Sequence, residues 1–114
     1  MKSVYIDTAA LLALSHKRDN FHDRAISVYR SLRDDKVRLV TTNAVVMEVG
    51  NACSPPAFRT VFTEIIHMID TSEYWEYVIV DKRIMDAAQD LFARRIDKAW
   101  SLVDCIGMNV AQCH

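Results

Sequence analysis

Short apolar runs alternate with longer amphipathic segments along this chain. Runs rich in β-branched and aromatic residues predict strands, whereas apolar residues that recur every third or fourth position predict helices. The predicted strands cover residues 4–6, 37–41 and 77–80. Helices are predicted at residues 9–14, from 20 to about 32, 43–53, 58–69, 84–92, and from about 102 to the chain end. This alternation predicts an α/β fold with a parallel sheet flanked by helices, in which ligands bind at the carboxyl ends of the strands.

Polar residues at element boundaries predict where several helices begin and end. Asn20, Asn43 and Asp81 each precede an amphipathic segment and are candidate amino-terminal caps. The run Ser54-Pro55-Pro56 ends the third helix, because proline cannot donate a backbone hydrogen bond and restricts the residue before it.

Composition limits the chain to one modest domain. Its 114 residues are 51% hydrophobic and 25% charged, which describes a single domain over residues 1–114. The net charge of -1 excludes a uniformly basic surface, so a nucleic acid would have to bind through a local patch. Two basic sets could contact phosphates, although a solvated surface is their ordinary role: Arg30, Arg33, Lys36 and Arg38, and separately Arg94, Arg95 and Lys98.

Cysteine usage and hydropathy predict a soluble cytoplasmic protein. Cys53, Cys105 and Cys113 are odd in number, lack C-x-x-C spacing and have apolar neighbours, so we expect reduced core residues. No apolar run approaches membrane-spanning length, and the amino terminus does not match a signal peptide. Trp75 and Trp100 are expected to pack in the core.

Three acidic residues stand in apolar sequence at element boundaries. Asp7 follows the first strand, Glu48 lies in the third helix, and Asp104 lies in the apolar stretch 100–106. Each has an ordinary alternative: Asp7 can cap the first helix, Glu48 can point to solvent, and Asp104 can form a capping box with Ser101. Because a carboxylate in apolar surroundings costs stability, their joint appearance favours one shared site.

A site made of several carboxylates is typical of Mg²⁺ or Mn²⁺, which prefer oxygen ligands and commonly bridge to phosphate oxygens. Clustered carboxylates repel one another, and a bound cation compensates that repulsion. The three acids therefore predict a divalent metal site, although their spacing alone does not name the reaction.

Three motifs resemble those of the PIN-domain ribonucleases of the VapC toxin type. They are Val4-Tyr5-Ile6-Asp7-Thr8, then Thr42-Asn43-x-x-x-x-Glu48, and finally Asp97-Lys98-x-Trp100-Ser101-Leu102-x-Asp104-Cys105. Their order and spacing span nearly the whole chain, and the third motif is the most specific.

The resemblance implies a Mg²⁺- or Mn²⁺-dependent endoribonuclease, usually toxic, usually a homodimer, and inhibited by a cognate antitoxin. It implies that Asp7, Glu48 and Asp104 are the catalytic, metal-binding acids. Four residues match or stand near polar positions that flank these acids in the family and are possible auxiliary residues: Thr8, Asn43, Asp97 and Ser101.

The chain also departs from the family pattern. The Thr-x-Asp type motif that supplies a fourth acid is absent, and Val103 stands where the family commonly has Thr. We therefore expect a shortened form that lacks the last strand or strands, which would expose the edge of the first strand to a dimer partner. The rival interpretation is a catalytically inactive PIN-like module that binds an antitoxin or another chain.

Overall fold

A parallel sheet with the strand order β1-β2-β3 organises the computed structural model, which describes residues 2–113. The strands are β1 (Ser3–Tyr5), β2 (Arg38–Thr42) and β3 (Trp75–Val78). The α-helices are α1 (Thr8–Ser15), α2 (His22–Asp34), α3 (Asn43–Ala52), α4 (Arg59–Thr71), α5 (Lys82–Arg94) and α6 (Leu102–Cys113), with a short 3₁₀ turn at Pro56–Phe58. The prediction of an α/β fold with a helix-flanked parallel sheet is confirmed.

The central strand β2 is buried on both faces. Leu39 packs into a core with α1, α3 and α4, whereas the next residue, Val40, packs into a second core with α5 and α6. Side chains alternate along a strand, so adjacent apolar residues reach opposite faces. This explains why the two apolar residues of β2, Leu39 and Val40, are consecutive rather than separated by a polar position.

Two of the three predicted caps are wrong. Phe21, not Asn20, precedes α2, and it makes no side-chain cap bond. Thr42, not Asn43, caps α3, because its Oγ1 accepts the Val45 N–H at 3.3 Å while Asn43 is already helical. The third prediction is confirmed, since Asp81 Oδ1 accepts the Ile84 N–H at 2.9 Å.

The third strand begins and ends two residues earlier than predicted. Trp75 pairs with Leu39 in register, and the ladder ends where Thr42 pairs with Val78. Beyond that point, the N–H of Val80 donates to Asn43 Oδ1 at 2.8 Å instead of to a strand. The strand is therefore limited by the length of β2, which local sequence does not reveal.

The three cysteines differ in exposure. Cys53 and Cys105 are buried free thiols, as predicted, and burial raises the pKa of the Cys53 thiol. The prediction of a core position is wrong for Cys113, which is exposed because it lies beyond Val110, the last buried residue of α6.

Strand β1 lies at an edge of the sheet. Within residues 2–113 it pairs with β2 alone, and the Val4 side chain is 36% exposed.

The described part of the chain contains no helix that is both long and apolar enough to cross a membrane. Both tryptophans pack as predicted, Trp75 inside the first core and Trp100 against the second.

Because Leu39 is fully buried in the first core, Leu39→Ala should lower the free energy of unfolding by about 3 kcal/mol. Chemical denaturation followed by circular dichroism measures this. The matched control is Ile96→Ala, which truncates a side chain that is 91% exposed and should leave stability unchanged. Equal losses in the two variants would contradict a core centred on β2.

Candidate functional site

Asp7, Glu48 and Asp104 line one pocket at the carboxyl edge of the sheet. The pocket has a volume of about 570 Å³ and is built from residues of β1, α1, α3 and α6, together with Asp7 from the link between β1 and α1. Its wall consists of Tyr5, Asp7, Thr8, Ala9, Leu12, Val45, Glu48, Val103, Asp104, Gly107, Met108 and Ala111. Acids that are 41 and 56 residues apart along the chain thus share one site.

Asp7 both caps a helix and lines the pocket. It follows β1, has an extended backbone, and its Oδ1 accepts the Ala10 N–H at 2.9 Å. No second protein donor contacts this carboxylate among the described hydrogen bonds. One oxygen therefore stabilises α1 and the other remains available to a ligand, so the two interpretations of Asp7 are compatible.

Glu48 does not simply point to solvent. It is half-buried on α3, between Met47 on the solvent side and Val49 in the core. Its Oε1 accepts a hydrogen bond from Thr8 Oγ1 at 2.5 Å. This contact joins α3 to α1 and fixes the glutamate at the pocket wall.

Asp104 forms the capping box that its spacing predicts. The Ser101 N–H donates to Asp104 Oδ2 at 2.9 Å, and the Asp104 N–H donates to Ser101 Oγ at 3.0 Å. The reciprocal bonds begin α6 and hold the carboxylate in its first turn. The Ser101 side chain therefore caps α6 and does not line the pocket.

The donor set fits a hard divalent cation, but the acids are not assembled as a closed cage. Among residues 2–113, ion pairs form only elsewhere, at Lys82–Asp86, Arg94–Asp90 and Arg95–Asp97. The pocket acids therefore have no cationic partner in the described part of the chain, and their oxygens are the ligands that Mg²⁺ prefers. Across the described residues, however, no three His, Cys, Asp or Glu side chains are positioned to hold one ion.

The four auxiliary candidates have separate positions. Thr8 lines the pocket and orients Glu48, and Ser101 caps α6. Asn43 lies outside the pocket wall and accepts the Val80 N–H. Asp97 also lies outside the wall, where hydrogen bonds from Arg95 at 3.0 and 3.1 Å hold the pKa of its carboxyl below the usual value.

Three residues of the two basic sets, Arg33, Arg94 and Arg95, are engaged by other side chains of the protein. Arg33 donates to the Tyr29 hydroxyl and stacks on the Tyr74 ring at 4.0 Å from its centroid. Arg94 and Arg95 pair with acids, and Lys98 lies 6.0 Å from the Trp100 ring centroid with no acidic partner among the described ion pairs. Of the second set, Lys98 is the cation left available to a phosphate.

Sequence reasoning missed Tyr5 as a pocket residue. Its hydroxyl is 3.3 Å from Oγ1 of the buried Thr42, and its ring lies against Gly107 in the pocket wall. Burial raises the pKa of the Tyr5 hydroxyl above its ordinary value, the Thr42 hydrogen bond opposes this, and the pocket carboxylates add to the rise. The sequence did contain an indication that Tyr5 lies beside Asp7. Residues two apart in an extended segment point to the same face, and Tyr5 precedes Asp7 by two.

Comparison with known proteins supports the fold. No protein-family model matches the chain, and no curated protein matches it by sequence. The crystal structure of VapC20 from Mycobacterium tuberculosis, a toxin that cleaves the sarcin-ricin loop, superposes with a TM-score of 0.79. The alignment covers 96% of this chain and 81% of VapC20 at 19% sequence identity. The α/β architecture shared over nearly the whole chain shows that this protein has the fold of VapC20, which is the VapC-type PIN-domain fold.

Proposed function

We propose that this chain is a Mg²⁺- or Mn²⁺-dependent endoribonuclease that acts as the toxin of a cytoplasmic toxin–antitoxin pair. The observation that carries the proposal is the convergence of three acids from distant segments on one pocket of a VapC-type fold. The structural neighbour VapC20 is a toxin that cleaves an RNA loop, which supports RNA as the substrate class. Loops and single strands expose the bases and backbone that such a pocket can reach.

Asp7, Glu48 and Asp104 would hold the metal ion through the carboxylate oxygens that the local caps leave free. A bound divalent ion would supply an activated water and neutralise charge at the scissile phosphodiester. Thr8 keeps Glu48 turned to the pocket, and the capping box keeps Asp104 in the first turn of α6. Apolar residues such as Leu12, Val45 and Val103 form much of the rest of the wall.

A separate apolar groove supports an antitoxin as the protein partner. The groove between α1 and α2 has a volume of about 330 Å³, and its wall is almost entirely apolar, with Arg24 as its charged residue. Phe21 at this groove is 67% exposed and Val28 is 51% exposed. Exposed apolar surface of this kind marks a protein interface, and an antitoxin segment is the partner that the proposed function requires.

The rival proposal is a catalytically inactive PIN-like module that binds an antitoxin or another chain through this groove. It is favoured by the arrangement of the acids, which is not a closed cage in the part of the chain described. The two proposals differ in one property, namely whether the pocket binds a divalent ion.

RNA cleavage tests the proposed function directly. The chain should cleave a mixed RNA pool in the presence of Mn²⁺, and both EDTA and Asp7→Asn should abolish cleavage. Asn can still accept the helix-capping hydrogen bond, so the variant removes charge while α1 keeps its cap. The matched control Asp90→Asn removes an exposed, paired acid outside the pocket and should cleave normally. Absence of cleavage by the folded wild-type chain would count against a nuclease.

Thermal unfolding separates the two proposals without relying on activity. A ligand at ten times its dissociation constant stabilises the folded state by about 1.4 kcal/mol, which raises the Tm of a small domain by roughly 5 °C. Mn²⁺ should produce this shift in the wild type and in Asp90→Asn but not in Asp7→Asn. Equal shifts in all three chains, or none, would favour the inactive module.

The edge strand β1 supports a homodimer. Backbone donors and acceptors on its outer side have no partner strand in the described part of the chain, and such edges recruit other chains. Gel filtration with light scattering should give a mass of about twice the 13.1 kDa of one chain. Val4→Lys, which places a charge on that edge, should shift the mass towards one chain. A wild-type monomer at micromolar concentration would contradict the dimer.

A further inference from the structure

Tyr5 contacts all of the structural units that carry the three acids. It is the last residue of β1, and the hydrogen bond from the Ile6 N–H to the Val40 carbonyl at 2.7 Å keeps the following segment against β2. Asp7 comes two residues after Tyr5, and both side chains line the pocket. The position of Tyr5 is therefore tied to that of the first acid through a short, anchored stretch of backbone.

The Tyr5 hydroxyl connects this stretch to α3, the helix that carries Glu48. Its partner, Thr42 Oγ1, lies 3.3 Å away and also accepts the Val45 N–H as the cap of α3. Thr42 is fully buried, so this junction cannot easily exchange its hydrogen bonds with water. The hydroxyl thus contacts the start of the helix that bears the second acid.

The Tyr5 ring lies against α6, the helix that carries Asp104. A Cβ atom built on Gly107 would stand 2.7 Å from Cε2 of the ring and 3.1 Å from Cζ. Gly107 follows Asp104 by three residues, so it lies on the same side of α6, one turn further along. The missing side chain at Gly107 is what allows α6 to approach β1 this closely.

We infer that Tyr5 is a positioning residue that sets the spacing of Asp7, Glu48 and Asp104. This inference rests on the proposed function, because the spacing of the acids matters only if they share a metal ion. The contacts themselves do not depend on that function. The Tyr5 ring sets the distance from β1 to α6, and the Tyr5 hydroxyl sets the distance from β1 to α3.

The substitution Gly107→Ala tests the ring contact. Carbon atoms in contact prefer separations of about 3.5–4.0 Å, so the new methyl group must move the ring or α6 by about 1 Å. In a crystal structure of the variant, the Asp104 carboxylate should lie about 1 Å further from Asp7 than in a wild-type crystal structure. Isothermal titration calorimetry should show about tenfold weaker Mn²⁺ binding, the size of effect seen when a residue that orients metal ligands is changed.

A compensating variant keeps the test decisive even if Gly107→Ala is less stable. Tyr5→Leu removes the ring atoms that the new methyl group meets, so the double variant should bind Mn²⁺ more tightly than Gly107→Ala alone. Tyr5→Phe keeps the ring and loses only the Thr42 hydrogen bond, so it should weaken Mn²⁺ binding less than Gly107→Ala. Circular dichroism of each variant measures its folded fraction.

Gly50→Ala is the matched control, because Gly50 lies in the helix that carries Glu48 but faces away from the pocket. Its added Cβ would meet the Phe62 ring at 3.2 Å, a tight contact outside the site. This variant should keep the wild-type Mn²⁺ affinity and the wild-type position of Asp104. A loss equal to that of Gly107→Ala would show a general effect of helix substitution and would overturn the inference.

The remaining outcomes separate the inference from the proposed function. If the wild type binds Mn²⁺ and cleaves RNA but Gly107→Ala binds equally well, the positioning role fails and the nuclease stands. If the wild type neither binds Mn²⁺ nor cleaves RNA, the nuclease fails. In that case a displaced Asp104 in the variant crystal structure upholds the positioning role, and an unmoved Asp104 overturns it.

Discussion

The structure depends on the burial of β2 on both of its faces. Leu39 and Val40 are consecutive, yet they belong to different cores, because side chains of a strand alternate between the faces of the sheet. One core attaches α1, α3 and α4, and the other attaches α5 and α6. The two buried threonines that end the strand are hydrogen-bonded, which makes their burial compatible with a dry interior. A charged residue in place of Leu39 or Val40 would disrupt the packing of one layer of helices.

The acid pocket exists because these two layers meet at the carboxyl edge of the sheet. Asp7 caps α1 and Glu48 lies on α3, both in the first layer, whereas Asp104 lies in the first turn of α6 in the second. Asp7 and Asp104 remain exposed, and the half-buried Glu48 has the Thr8 hydroxyl as a donor. This arrangement limits the cost of placing three like charges together, since only one of them loses much of its hydration. The same bonds that stabilise helix ends hold the carboxylates at the pocket.

Fold and function rest on different observations in this protein. The likeness to VapC20 extends over nearly the whole chain at 19% identity and establishes the architecture. The proposed chemistry depends instead on particular side chains, because one fold can carry many activities and function resides in the site. Here the site consists of three acids on one pocket wall that has no Lys or Arg and that forms no ion pair within residues 2–113. The proposed metal ion, rather than a basic surface, is accordingly the feature that we propose would bind a phosphate at this pocket.

The amino-acid sequence by itself determined the fold class, the order of strands and helices, and the three candidate acids. These features follow from local patterns: apolar periodicity, the double proline after α3, and the spacing of Ser101 and Asp104 in a capping box. Predictions from local sequence were wrong where contacts between distant segments decide the end of a strand or the cap of a helix. Thr42 rather than Asn43 caps α3, and β3 ends at Val78, because the pairing of β2 with β3 decides both. Only the tertiary structure decided that Tyr5 lies between the acid-bearing elements, because its contacts with Thr42 and Gly107 cross 37 and 102 residues of sequence.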